Sequence, residues 1–344
     1  MRGSRSAVSN KTARAIEAIL RPNLPAAPPT TMLTIVAPAL FVVLWSTGFV
    51  VARAIAPYAD PNLFLLARFG GTAALFTAIA LWARVPWPRG REFGKHLVAG
   101  ALLQGIYLGA GYWAVAQGLS AGVMALLGAL QPLLTAAFAA RLFGERLSAQ
   151  RWVGLALGLA GVALVLVPKL QAAAHGAPAT QGHGNPLLVV LVALVAVGSI
   201  TAGTLYQKTS LAQADLRSAS AVQNFGAAIV AVLLAFVLGE HRWVASTTLW
   251  VSLAWGIVML SGAGVTLFVW MVRHGDAARA TALLFLAPPL AALESWWLSG
   301  ETLLPMQCAG FAVALAGVLV ARRTAAARPA AVRRSEAAAR ARTR

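Results

Sequence analysis

Two ionisable side chains, Arg68 and Glu294, stand inside long apolar runs of this 344-residue chain. Charges in hydrocarbon are costly and normally face a cavity or each other. Arg68 lies about six residues and Glu294 about five from the nearest run end, on the order of 8–9 Å deep at roughly 1.5 Å per helical residue. The chemistry this allows is uptake of a proton or a substrate ammonium at Glu294, with Arg68 answering a carboxylate. The plainer alternatives are an ion pair between the two, or Arg68 reaching outward to the interface. No other carboxylate lies inside an apolar run, so Glu294 is the candidate proton-coupling group.

Uncharged polar groups recur at helical spacing. Gln104 and Tyr107 are three apart; Met124, Gly128, Gln131 and Thr135 share a face; Ser220 and Asn224 are four apart, beside Gln223; Trp45, Ser46 and Thr47 are consecutive. Trp45, Arg68, Gln104, Tyr107, Gln131, Asn224 and Glu294 are therefore the candidate substrate-binding residues. They suit a cavity that holds an amphipathic metabolite by a few hydrogen bonds and aromatic contact. Interhelical hydrogen bonding, about 0.6 kcal/mol on average, is the competing use. Other chemistry lacks its residues. There is no Gly-x4-Gly-Lys-Ser/Thr and no pair of intramembrane aspartates. The five histidines fall in loops or at run ends, and Cys308 is the lone cysteine. No catalytic residue, cofactor or metal is expected.

The elements that must position these groups are membrane helices. Hydrophobic residues make up 59% of the chain, charged residues 11%, and mean hydropathy is +0.73. Lipid must be the solvent for most of such a chain. Ten apolar runs are candidate spans: 33–52, 63–83, 97–117, 120–140, 152–168, 187–206, 218–239, 248–271, 280–298 and 303–321. The first is too long for a signal-peptide core. Met32 stands just before it as an alternative start. Trp82, Trp87 and Trp243, at or just beyond run ends, read as interface anchors.

The net charge of +18 is concentrated in the tails, without interleaved aromatics, so it points to cytoplasmic tails and not to nucleic acid. With the N-terminus inside, 24 Lys and Arg fall on the inner side and 3 on the outer. This places both termini in the cytoplasm. The expected organisation is a disordered tail 1–32, a first five-helix repeat 33–168, an external loop 169–186, a second repeat 187–322 and a basic tail 323–344.

Sliding the sequence by 156 residues aligns 121–166 with 277–322 without a gap. Pro132 falls on Pro288, Gly144-Glu145 on Gly300-Glu301, and 9 of 23 residues are identical over 144–166. Five is odd, so the second half would enter the membrane upside down. The predicted fold is an all-α membrane protein of ten transmembrane helices in two inverted five-helix repeats, with a site near the midplane. Gly154, Gly158 and Gly161, with Gly310 and Gly317, mark close backbone packing of spans five and ten. A homodimer through those two helices is the alternative use of the same glycines. Pro132, Pro288 and Pro289 would bend spans four and nine.

The pattern resembles the EamA family of the drug/metabolite transporter superfamily over residues 35–322. The matching pieces are Leu44-Trp-Ser-Thr-Gly48, Arg68 early in span two, and Ala121-Gly-Val-Met-Ala-Leu-Leu127 leading to Gln131-Pro132. Gly144-Glu-Arg-Leu147, Ala280-Thr-Ala-Leu-Leu284, Pro288 and Gly300-Glu301 follow. The resemblance implies ten helices, cytoplasmic termini and secondary transport of small metabolites, often export of amino acids, nucleobases or drugs. A basic residue early in span two fits the family; a glutamate at 294 is not general to it. The expectation is a transporter in the bacterial cytoplasmic membrane, working by alternating access, with a small-molecule substrate and the bilayer as partners. A membrane-embedded enzyme and a non-transporting sensor are the rival classes.

Overall fold

The computed structural model describes residues 32–144, 148–174, 185–211, 214–264, 267, 286–300 and 303–321. The tails, Glu145, Glu301, most of the long loop and most of 265–285 lie outside these residues. Of the described residues, 32–37, the first turns of the first helix, fall in one unit, and those from Pro38 on fall in the other, which holds the packing and the sites below.

Among the described residues the chain is helical. The helices are α1 (Met32–Ile55), α2 (Pro61–Trp82), α3 (Arg91–Ala116), α4 (Ala121–Ala129 and Gln131–Phe143) and α5 (Ala149–Ala174). After them come α6 (Pro186–Ser210), α7 (Leu216–Val237), α8 (Thr247–Gly264), α9 (Ala287–Ser299) and α10 (Pro305–Ala321). Seven of them, α2 to α8, are long and apolar enough to cross a membrane. Helices satisfy every backbone group internally, which lipid demands. Three of their starts carry ordinary side-chain caps. Asn185, Asp215 and Ser246 accept from Leu187 N, Arg217 N and Leu249 N at 3.0, 2.9 and 3.1 Å.

The repeat is visible in the backbone. Leu130 interrupts α4 at φ −76°, ψ −16°, and Leu286 precedes α9 at φ −82°, ψ −15°. Each is followed by a 13-residue helix whose second residue is Pro132 or Pro288. Each of these helices ends on a left-handed glycine, Gly144 at φ 68° and Gly300 at φ 64°. That conformation costs other residues dearly. Pro132 thus acts at a break within α4, and Pro288 stands in the first turn of the described part of α9. α2 and α7 are both 22 residues long, 155 residues apart. α3 and α8 each contain a π-helical stretch, Ala101–Ile106 and Trp255–Gly264.

Packing is closest where glycines meet backbone. A β-carbon at Gly310 would lie 2.7 Å from Gly161 O, and one at Gly317 would lie 2.6 Å from Gly154 O. The glycines of α5 and α10 therefore face each other within the chain. One at Gly122 would lie 2.7 Å from the Ala292 side chain, joining α4 to α9.

Candidate functional site

Three consecutive residues of α1 gather the polar groups of four other helices. Ser46 is buried, and its hydroxyl lies 2.7 Å from Glu294 Oε1 on α9 and 2.8 Å from Val43 O. Thr47 Oγ1 donates to Leu44 O at 2.7 Å and accepts from Trp255 Nε1 on α8 at 2.9 Å. Gly48 O accepts from the Tyr112 hydroxyl of α3 at 2.8 Å, and that oxygen accepts from Arg68 Nη1 of α2 at 3.0 Å. Phe64 stacks on Tyr112 at 6.3 Å, and Phe49 meets the Tyr107 ring edge-on at 5.8 Å.

Two polar atoms of this cluster are left over. Arg68 is 7% exposed and its Nε has no partner; Glu294 Oε2 is also buried without one. Among the described residues no ion pair joins Arg68 to Glu294; each is held by a neutral hydroxyl instead. A buried polar group without a partner costs about 1–3 kcal/mol, more when charged, and invites a ligand or a proton. Ser46 suits both forms of Glu294. It can donate to the carboxylate, or accept from the protonated acid while donating to Val43 O. Arg68 is also pressed against α8, where a β-carbon at Gly256 would fall 2.9 Å from Arg68 Cδ.

The other sequence candidates scatter. Tyr107 joins the cluster through Phe49, with its hydroxyl against Gly128. Gln104 stands half-buried in the π-helical stretch of α3. Gln131 donates to Thr204 on α6 at 2.8 Å and to Thr135 at 3.3 Å, a tie between helices. Asn224 is buried, donates to Ser220 O at 2.9 Å and leaves its Oδ1 without a partner. Trp45 is 44% exposed and packs on Phe41, turned away from Ser46's bonds. Ser46 and Thr47 carry the contacts in its place. Tyr112, Trp255 and Gly256 went unread: apolar runs absorb tyrosines, tryptophans and glycines without any signal of contact.

His96, at the end of the third apolar run, is 3% exposed, although the five residues before it in α3 are exposed or half-buried. Its Nδ1 is 3.3 Å from Gln223 Nε2, and its Nε2 has no partner. His96, Gln207, Ser220 and Gln223 line a cavity of about 210 Å³ between α3, α6 and α7. A second cavity, about 180 Å³ and apolar, lies at the α4 break between Leu130, Pro288 and Phe311.

Comparison with known proteins adds to this geometry. A model of the EamA-like transporter family matches the chain twice, at residues 32–167 and 187–323. The uncharacterized inner membrane transporter YedA of Escherichia coli is 27% identical over 271 residues, 77% of this chain and 82% of that one. The uncharacterized transporter YvbV of Bacillus subtilis is 26% identical over 75% of this chain and 81% of its own. One solved crystal structure shares the fold at a TM-score of 0.56 and 19% identity, covering 86% of this chain and 99% of its own.

Proposed function

Since the chain belongs to the EamA-like transporter family and is a multi-pass membrane transporter, we propose that it exports a small metabolite by alternating access, coupled to protons. The reading has ten spans in two inverted halves, 33–168 and 187–322, with both termini cytoplasmic in a bacterial inner membrane. The Lys and Arg distribution supports the orientation. The repeated 13-residue helices with proline second, their glycine caps and the π-helical stretches of the two halves support the exchange of roles between them.

One observation carries the site: Glu294 is bonded to Ser46 of α1 and Arg68 is linked to Gly48 of α1 through the Tyr112 hydroxyl, each with a polar atom unpartnered. A metabolite bearing a carboxylate and an ammonium would satisfy both. Proton occupancy of Glu294 and substrate occupancy would then exclude each other, which is the requirement for antiport. Because α1 is bonded to α3, α8 and α9 there, and linked to α2 through Tyr112, movement of either half changes the site.

The test is flux in proteoliposomes, screened with labelled amino acids and nucleobases. Glu294→Gln should abolish uphill flux driven by a pH gradient, while exchange at equal concentrations survives. Uphill flux persisting in Glu294→Gln would remove this residue from coupling.

A further inference from the structure

The segment between α1 and α2 and the loop between α7 and α8 hold each other by exchanged carboxylates. Asp60 Oδ2 accepts from His241 N at 3.0 Å and Arg242 N at 2.8 Å, across the halves. Glu240 returns the contact. Its Oε2 accepts from Asn62 N at 2.7 Å and Leu63 N at 3.1 Å, and its Oε1 from Asn62 Nδ2 at 2.6 Å. Asp60 sits at the N-cap of α2 but makes no cap bond there; Glu240 supplies the cap from the opposite half. An isolated antiparallel bridge, Ala59 to Trp243, closes the clasp.

We propose that Glu240 is a proton-binding site, and that the proton it takes up holds these two segments together at the outer end of the bundle. That this end is the outer one rests on the proposed orientation; the clasp itself does not.

Among the described residues every partner of the Glu240 carboxylate is a neutral N–H, and no cation is bonded to it. Of the charged and titrating groups on the two segments, Asp60 faces it across the clasp. Arg242 is turned to Asp60 and to Ala56 O, at 3.3 and 2.9 Å. His241 is exposed with its ring on Gly239 O, and Arg53 and Tyr58 lie on the α1 side. From α3, Gly109 lies against Asn62 and brings no charge. Asn62 can serve the neutral acid as well as the carboxylate. Its Oδ1 is buried without a partner, and a turned amide would present that oxygen to a protonated Oε1. Oε2 would keep both backbone amides.

Burial pushes the Glu240 carboxyl above its usual range; the bonds from Asn62 and Leu63 pull the other way, and the negative Asp60 adds to the rise. Once the segments part, water restores the ordinary value, about 4.3. The clasped form therefore binds the proton more tightly than the parted form, and falling pH shifts the population toward the clasp. In an exporter this would close the outer face when a proton arrives from an acidic exterior.

The test uses the full chain in nanodiscs with Cys308→Ser and pyrene on Pro57→Cys and Ala245→Cys. The excimer-to-monomer ratio should rise on acidification, with a midpoint above about 4.3. In Glu240→Gln it should stay high and not respond to pH. A ratio that falls on acidification, or a Glu240→Gln chain that keeps the parental response, overturns the proposal. If Glu240→Gln does not fold, Glu240→Asp, which titrates at a shorter reach, should displace the midpoint; an unmoved midpoint is equally fatal. The reading needs no flux, so its failure is separate from failure of the transport assignment.

Discussion

The crossing of α2 over α8 and that of α7 over α3 occupy matching places in the two halves, yet they are built differently. At the first, Gly256 admits the stem of the Arg68 side chain. At the second, Gly100 admits the backbone of Gln223 itself. The positions correspond: Arg68 and Gln223 lie at the same register in two 22-residue helices with matching C-caps. One crossing thus carries a buried cation on a flexible stem, and the other a neutral amide on fixed backbone. A symmetric frame can hold asymmetric chemistry. The first crossing can yield when a ligand comes or leaves, whereas the second is a rigid joint.

The most severe test of this contrast is a methyl group. Gly100→Ala drives a β-carbon into Gln223 backbone, which cannot swing aside, and should cost about 3 kcal/mol, the upper end for overpacking. Gly256→Ala meets only the Arg68 stem and should cost about 1 kcal/mol or less, while altering transport. Thermal unfolding in detergent separates them, and equal losses would erase the distinction. Arg68→Gln makes the first crossing resemble the second. It should leave membrane abundance near normal and lower flux at least tenfold, equivalent to about 1.4 kcal/mol. Loss of abundance in step with flux would make Arg68 a structural residue. The smallest effect concerns the shared frame. Gly144→Ala and Gly300→Ala each force a left-handed alanine and should cost about 1 kcal/mol, alike in both halves. Unequal shifts in unfolding temperature would show that the halves bear unequal load.

The parts of the fold legible in the sequence are those with few backbone options. Pro132, Pro288, Gly144 and Gly300 can each do little else than start or stop a helix, so their spacing exposed the repeat. Arg68 and Glu294 were legible because charges inside apolar runs are few. Their partners were not. Whether Arg68 meets Glu294 or Tyr112 depends on how each helix is rotated about its axis, and hydropathy says nothing of rotation. The burial of His96 was hidden for a related reason: the five residues before it in α3 are exposed or half-buried, and only the rotation of the helix turns His96 to Gln223. Glu240 looked like one residue of a charged turn, because a clasp between segments 180 residues apart leaves no local trace.

The π-helical stretch of α3 is a phase shifter. A π turn carries one more residue than the α-helix needs, so the faces before and after it are set independently. His96 and Gly100 address α7 from one side of Ala101–Ile106, and Tyr112 reaches Gly48 on α1 from the other. Losing a single residue from that stretch would leave both ends helical and the span equally apolar. It would also let that turn close to α geometry, so Tyr112 would keep its facing relative to His96. The same loss between Tyr107 and Tyr112, where the helix carries no surplus residue, would turn Tyr112 by about 100°, the angle of one α-helical residue, and unlink Arg68 from α1, equally invisible to any hydropathy profile.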